Sequence, residues 1–241
     1  MKTIIIVPTY NESGNIERLI KEIFSLKIEN LEIIIVDDNS PDGTSSIVES
    51  LKNNFPIHLI KRQGKLGLGS AYITGFKKAL EFEADCVFEM DADFSHDPND
   101  IPRLLEKMSN FDLSIGSRKI KGGGVLGWNW RRKMMSNGAM WFSRTLLGFK
   151  VKDVTAGFRC FRSQVLKTIG LDQIKSNGYA FQEELLYKVQ NAGFKIVEVP
   201  VIFEDRKHGK SKLGYKDILE FFIVIFKLKL KYLSIVKFWK G

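Results

Sequence analysis

Cysteine is scarce: Cys86 and Cys160 are the only two, far apart in the chain and each inside an apolar run. That is neither a disulfide framework nor a metal-ligand spacing, and it reads as two buried free thiols. Three histidines, His58, His96 and His208, are too scattered to suggest a zinc site. No stretch approaches the ~20 uninterrupted apolar residues of a transmembrane helix. The opening "MKTIIIVPTYNE" has one lysine and a short apolar run, less than a signal peptide needs. It reads as a first strand, and the protein is expected to stay inside the cell. The stretch "GLGSAYITG" holds neither GxGxxG nor a Walker-type GK, so it is not a dinucleotide fingerprint or a P-loop. Internal repeats and low-complexity linkers are also missing.

What the chain has is positive charge and alternation. Its formal net charge is +9, which favours anionic partners: nucleic acid, acidic lipid headgroups or phosphorylated small molecules. Basic residues concentrate in "DRKHGKSKLGYK" (205–216). Along the first half, short apolar runs alternate with helical periodicity. Strands are expected at 3–7, 32–38, 57–60, 86–93 and 112–118, and another at 195–203. Helices are expected from Ile16, from Thr44 (capped by its own hydroxyl), after the glycines of "GLGSAYITGF", and at "IPRLLEKM". This alternation predicts an α/β fold with a parallel sheet covered on both faces. Ligands then bind at the carboxyl ends of the strands. Polar clusters fall there repeatedly: Tyr10 and Glu12, Asp37 and Asp38, Asp91 and Asp93, and Arg118. The glycine-rich, aromatic and basic stretch 119–133 suits a mobile loop. The apolar, lysine-dotted segment 217–241 predicts an interfacial membrane helix, with a helix docked on the domain or on a partner as the alternative.

In "MDADFSHDP" two acids flank one alanine at a strand end, where they should repel each other. A hard divalent cation, Mg²⁺ or Mn²⁺, with a diphosphate on its far side removes that repulsion. Asp91 and Asp93 are therefore candidate metal ligands; a solvated turn is the alternative. Asp37 and Asp38 are placed to bind ribose hydroxyls or a base edge, or else form a turn and helix cap. Tyr10 is placed to stack on a base.

The ordered set "VPTYNE", "VDDNSPDGT", "GLGSAYITGF", "MDADFSHDP", "GSR…GGG", "DVTAGFR", "GYAFQ" and "DRKHGKSKL" resembles the dolichol-phosphate mannose synthases, polyprenyl-phosphate mannosyltransferases of glycosyltransferase family 2. The resemblance runs from about Thr3 to Tyr215. It implies a GT-A (Rossmann-like) catalytic domain over 1–215, with 216–241 as an amphipathic membrane-associating or docking helix. It implies GDP-mannose as donor and a dolichyl or other polyprenyl phosphate as acceptor. By the same resemblance, Pro8, Tyr10, Glu12, Val36 and Asp38 hold the nucleoside. Asp91, Ala92, Asp93 and Ser95 form the donor and metal site. Arg118, Arg206 and Lys212 hold the diphosphate or the acceptor phosphate, and Arg131 and Arg132 lie in a loop that could also receive the latter. Gln182, Glu183 and Glu184 stand where relatives acting on hydroxyl acceptors place a catalytic acid, and here they are expected to order the site. Many relatives end in transmembrane helices and this chain does not, so it is expected to lie peripherally on the cytoplasmic face of a membrane, with a membrane-anchoring subunit or a homo-oligomer as a further expected partner. The alternatives are a family 2 enzyme using a UDP-sugar or a glycan or protein acceptor, an idle nucleotide-sugar sensor, and a nucleic-acid-binding protein. The acidic rim counts against the last of these.

Overall fold

The computed structural model describes residues 1–176, 178, 180–205 and 221–230. The β-branched runs form the centre of a sheet: β1 (Thr3–Thr9), β2 (Leu31–Asp37), β3 (Ile57–Lys61), β4 (Cys86–Glu89) and β5 (Leu113–Ser117). Nearly all residues of β1, β2, β4 and β5 are buried, as parallel strands covered on both faces require. Helices α1 (Ile16–Ser25), α2 (Thr44–Leu51), α3 (Leu68–Glu81) and α4 (Ile101–Glu106) supply the connections. Helix α1 buries Ile16, Leu19, Ile20 and Ile23, one stripe at helical spacing, against the sheet. Helix α3 lies so close to β1 that a Cβ on Gly75 would sit 2.4 Å from Ile6 Cγ2.

The second half departs from simple alternation. It continues as β6 (Gly124–Leu126), α5 (Trp130–Leu147), β7 (Arg159–Arg162), α6 (Ser163–Thr168), α7 (Ala180–Asn191), β8 (Ile196–Pro200) and β9 (Ile202–Glu204). The main sheet has the order β3-β2-β1-β4-β7-β5-β8. All neighbours pair parallel except β7, which runs antiparallel to both β4 and β5. The expected strand over 195–203 is two strands. After Pro200 the chain leaves β5, and Ile202 pairs with Gly124 in a separate ribbon of β6 and β9.

Three local expectations are corrected. Gly43, with φ +89°, is the N-cap of α2, and the Thr44 hydroxyl instead donates to Asp42 and accepts from the Glu12 amide. The fourth strand stops at Glu89 because the Asp91 amide donates to His96 Nδ1, 3.1 Å away, instead of continuing the ladder. The stretch 119–133 contains a strand and the start of a long helix. The two cysteines are free and buried as expected, both in the core on the same side of the sheet.

Residues 221–230 are helical. Phe221, Ile225 and Leu228 are buried in the core that α3, α5 and α7 share with the sheet. Phe222 and Phe226 pack edge-on against Phe142 of α5. The docked alternative therefore describes one face of this stretch, while Ile223 and Leu230 stay exposed.

Candidate active site

The parallel strands end on one rim, and β7, being antiparallel, begins there. At the β1–β2 part of the rim, Pro8 lies beside Val36 in register, and Tyr10, Glu12 and Asp38 follow the strand ends. Tyr10 is half-buried with Lys65 over its ring at 4.7 Å. Val36 is wholly enclosed in the core. The Asp38 carboxylate is ion-paired with Arg62 and accepts from the Leu66 amide. The Asp37 carboxylate accepts from the Thr9, Ser40 and Ser45 hydroxyls and from the Ser40 amide, at 2.6–3.0 Å. Burial alone would raise its pKa, but these hydrogen bonds outweigh it and lower it. Asp37 is thus a structural pin, and the expectation that it reads a ligand is corrected.

Asp91 and Asp93 follow β4 in a partly exposed loop. The Tyr72 hydroxyl donates to Asp91 Oδ1 at 3.0 Å, and burial beside Asp91 and Glu89 keeps that phenol protonated. Asp93 Oδ1 accepts from the Ser95 amide at 3.0 Å. Between them Phe94 adopts φ +61°, a left-handed backbone uncommon for a bulky residue. Ala92 and Ser95 are buried, and the Ser95 hydroxyl has no hydrogen-bond partner among the described residues. No group of three or more His, Cys, Asp or Glu placed to hold a metal ion is found among the described residues. Two carboxylates are an incomplete, all-oxygen donor set, which suits a hard cation that also takes phosphate oxygens from a substrate. The residues present fit Mg²⁺ or Mn²⁺.

Beyond β7 lies a basic cradle. Arg118 follows β5, and its guanidinium donates to both Asp153 oxygens, at 2.6 and 2.7 Å, and to the Thr155 hydroxyl at 2.7 Å. Burial alone would raise the Asp153 pKa, but Arg118 holds it lowered. The Arg118 guanidinium also lies 5.5 Å from the Phe203 ring and 5.9 Å from Trp128. Arg132 packs over Trp128 at 4.2 Å and pairs with Asp205 at 2.8 Å. Arg131 and Arg132 stand in the first turn of α5, not in a loop, and Asn129 caps that turn by accepting from the Arg132 amide. The α5 N-terminus thus lies beside guanidiniums that are each ion-paired, Arg118 with Asp153 and Arg132 with Asp205. Arg206 and Lys212 lie outside the described residues. Arg118 and Asp91 follow strands with β7 between them, so the strands that lead to the two groups are ~10 Å apart.

The glycosyl transferase family 2 profile matches residues 4–170. The chain is 41% identical over 222 residues to polyprenol monophosphomannose synthase of Mycolicibacterium smegmatis, covering 91% of this chain and 83% of that one. It is 42% identical over 215 residues to undecaprenyl-phosphate mannosyltransferase of Micrococcus luteus, covering 89% and 88%. The chain belongs to glycosyltransferase family 2. Its fold is GT-A: glucosyl-3-phosphoglycerate synthase from Mycobacterium tuberculosis, solved with UDP, superposes with a TM-score of 0.69 at 16% identity over 95% of this chain and 80% of that one. The same enzyme solved with Mn²⁺, UDP-glucose and phosphoglyceric acid gives 0.67 at 17% identity over 95% and 79%.

Under the rim of this glycosyltransferase lies a buried charge cluster of Arg159, Glu89 and Glu183, of which the sequence reading singled out only Glu183. Arg159, wholly buried, donates to the carbonyls of Val154, Ala156 and Gln182 at 2.8–2.9 Å. Glu89 faces it across the β4–β7 pair, and Glu183 approaches from α7. Burial pushes both acids up to about 8. Glu183 is completely enclosed, so it cannot touch an acceptor. Glu184 is committed to Ser176, accepting from its amide and its hydroxyl. The Gln182 carbonyl is one of the three that Arg159 binds. All three residues are buried beneath the rim, and the motif "DVTAGFR" holds Asp153, Thr155 and Arg159.

Proposed function

We propose that this glycosyltransferase moves mannose from GDP-mannose to a polyprenyl phosphate, with inversion, at the cytoplasmic face of a membrane. The supporting observation is the pair of unlike half-sites on one rim: a carboxylate pair after β4 and an arginine–aromatic cradle after β5. Both relatives at 41–42% identity bear names of polyprenyl-phosphate mannosyl transfer.

Asp91 and Asp93 would hold Mg²⁺ or Mn²⁺, which supplies charge neutralisation for the diphosphate leaving group. Tyr72 and the Ser95 amide orient these carboxylates from behind. Tyr10, at the exposed end of the β1–β2 rim, packs against the nucleoside. A phosphate monoester is already anionic at neutral pH, its second pKa being about 6, so the acceptor needs positioning rather than a base. Arg118, Arg132 and the α5 N-terminus supply that positioning, joined by Arg206 and Lys212. One acceptor oxygen attacks the anomeric carbon as the bond from that carbon to the diphosphate oxygen breaks. The products are GDP and a β-linked polyprenyl phosphomannose. Glu183, neutral and enclosed, fits a reaction without a carboxylate base.

The lipid's hydrocarbon tail costs ~0.8 kcal/mol per CH₂ to withdraw from a bilayer, so the enzyme must go to it. No described helix is long and apolar enough to cross a membrane. Helix α5 offers Trp130, Met134, Met135 and Trp141, all more than half exposed, and Ile223 and Leu230 lie exposed on the 221–230 helix that packs on it. We assign that surface to the headgroup region. Labelled GDP-mannose, GDP-glucose, UDP-glucose and UDP-N-acetylglucosamine should each be incubated with the enzyme, a polyprenyl phosphate and metal, then lipid-extracted. Label in the lipid phase from GDP-mannose alone is expected; incorporation only from a UDP-sugar would overturn the donor assignment.

A further inference from the structure

The two half-sites meet at one buried side chain. His96 Nδ1 accepts the Asp91 backbone amide at 3.1 Å, which fixes the first residue of the carboxylate pair. An accepting Nδ1 means the proton of the neutral ring is on Nε2. The ring stacks on Phe158 at 5.0 Å and 10° between planes. Its edge meets Phe203 at 6.0 Å and 70°. Phe203 in turn carries Arg118 at 5.5 Å and Trp128 at 5.8 Å. His96 is 6% exposed, so the ring is held within the protein rather than in solvent.

The supports of that ring are themselves rigid. Phe158 immediately precedes β7, and its neighbour Arg159 turns to the opposite sheet face, where three carbonyls anchor it. A Cβ on Gly157 would come to 3.6 Å from His96 Cε1, so the backbone passes directly beside the imidazole. One ring therefore touches the carboxylate loop, the inserted strand and the aromatic floor of the cradle.

We infer that His96 is a positioning residue which sets the carboxylate pair and the arginine cradle at a fixed separation. The inference rests on the proposed transfer reaction, because separation matters only where two bound groups must meet. In-line attack needs the reacting atoms ~3–3.5 Å apart, and a displacement of ~1 Å costs on the order of 10²-fold. The inferred role is mechanical: His96 touches neither substrate, and it acts through Asp91 on one side and Phe203 on the other.

Two variants separate its two contacts. His96→Asn keeps a side-chain acceptor near the Asp91 amide and loses the ring. His96→Leu keeps apolar bulk against Phe158 and Phe203 and loses the acceptor. Mn²⁺ affinity in the presence of GDP, read by electron paramagnetic resonance, should fall by about 10–100-fold in His96→Leu and stay near wild type in His96→Asn, the range seen for partners of metal ligands. In His96→Asn, kcat for transfer should fall by about tenfold or more while KM for GDP-mannose holds. The ratio of GDP-mannose hydrolysis to lipid transfer should rise, a signature that simple destabilisation does not give. Thermal melts show that each variant is folded at the assay temperature. Two folded variants with wild-type Mn²⁺ affinity, kcat and hydrolysis ratio would overturn the inference. A wild-type enzyme that binds Mn²⁺ and GDP but transfers nothing to lipid would overturn the function instead, and the Mn²⁺ comparison between the variants would still be readable.

Discussion

Asp93 carries the sharpest test at the residue scale. Its Oδ1 accepts from the Ser95 amide, so the side chain shapes the loop as well as carrying the proposed metal role. Asp93→Ala should abolish metal-dependent GDP binding and turnover while the protein stays folded, the lost hydrogen bond to the Ser95 amide costing about 1 kcal/mol. Full activity in a chelator, or an active Asp93→Ala enzyme, defeats the metal assignment. Glu183 makes a different demand. Its folded pKa is raised to about 8, above the usual 4.5. Between those values the unfolded chain ionises this acid while the folded protein keeps it neutral. Its effect is therefore most favourable below about pH 4.5, declines through the interval and is flat above about 8. Glu183→Gln removes the titration. Its melting temperature should fall less than that of wild type from pH 5 to pH 8, and parallel curves for the two proteins would show that Glu183 does not titrate there. That Asp91, Asp93 and Tyr10 stand just past strand ends on the rim was legible from residue type and position. His96 was not, because a lone histidine signals nothing until the fold puts Asp91 and Phe203 on either side of it.

Elements divide along the same line. Strands β1 to β5 were readable because β-branched runs such as "TIIIV" and "EIIIV" are buried on both faces. Strand β7 was not, since "RCFR" has no periodicity of its own and owes its place to pairing with β4 and β5. The first turn of helix α5 was hidden in what read as a mobile loop, because it leaves apolar and basic residues exposed together. That exposure gives a prediction for the element. Deleting the C-terminal segment would also strip Phe221, Ile225 and Leu228 from the core, confusing docking with stability. Replacing Trp130, Trp141, Ile223 and Leu230 by Ser touches only exposed side chains. Each large apolar group buried is worth about 1.5–3 kcal/mol when complete. The fourfold variant should therefore float with lipid vesicles at least about tenfold less well, melt within a few degrees of wild type and bind Mn²⁺ and GDP unchanged. Undiminished flotation would make this surface packing area for another protein.

At the scale of the whole molecule, charge and apolar surface have to act together. The chain carries 37 basic against 28 acidic residues. Several of the acids near the rim are already matched inside the fold: Asp38 by Arg62, Asp153 by Arg118, Asp37 by hydroxyls. Arg131 and Lys133 are exposed on α5 beside Trp130 and Met134. Basic residues near an anionic leaflet contribute about 1 kcal/mol each. That attraction is screened over ~10 Å at 0.1 M salt and ~3 Å at 1 M, whereas apolar insertion is not weakened by salt. Two components thus predict a two-part response in vesicle flotation. Binding to anionic vesicles should fall steeply as salt rises over that range, then level off at a residue of binding equal to that on neutral vesicles. The fourfold apolar variant should lose the plateau and keep the salt-dependent part. Transfer to a vesicle-borne polyprenyl phosphate should follow the same salt curve, while transfer to a short, water-soluble acceptor should be far less sensitive, because only the first requires docking. A salt-independent curve on anionic vesicles would mean that the positive charge serves substrate phosphates alone, leaving α5 and its neighbour to hold the membrane by apolar contact.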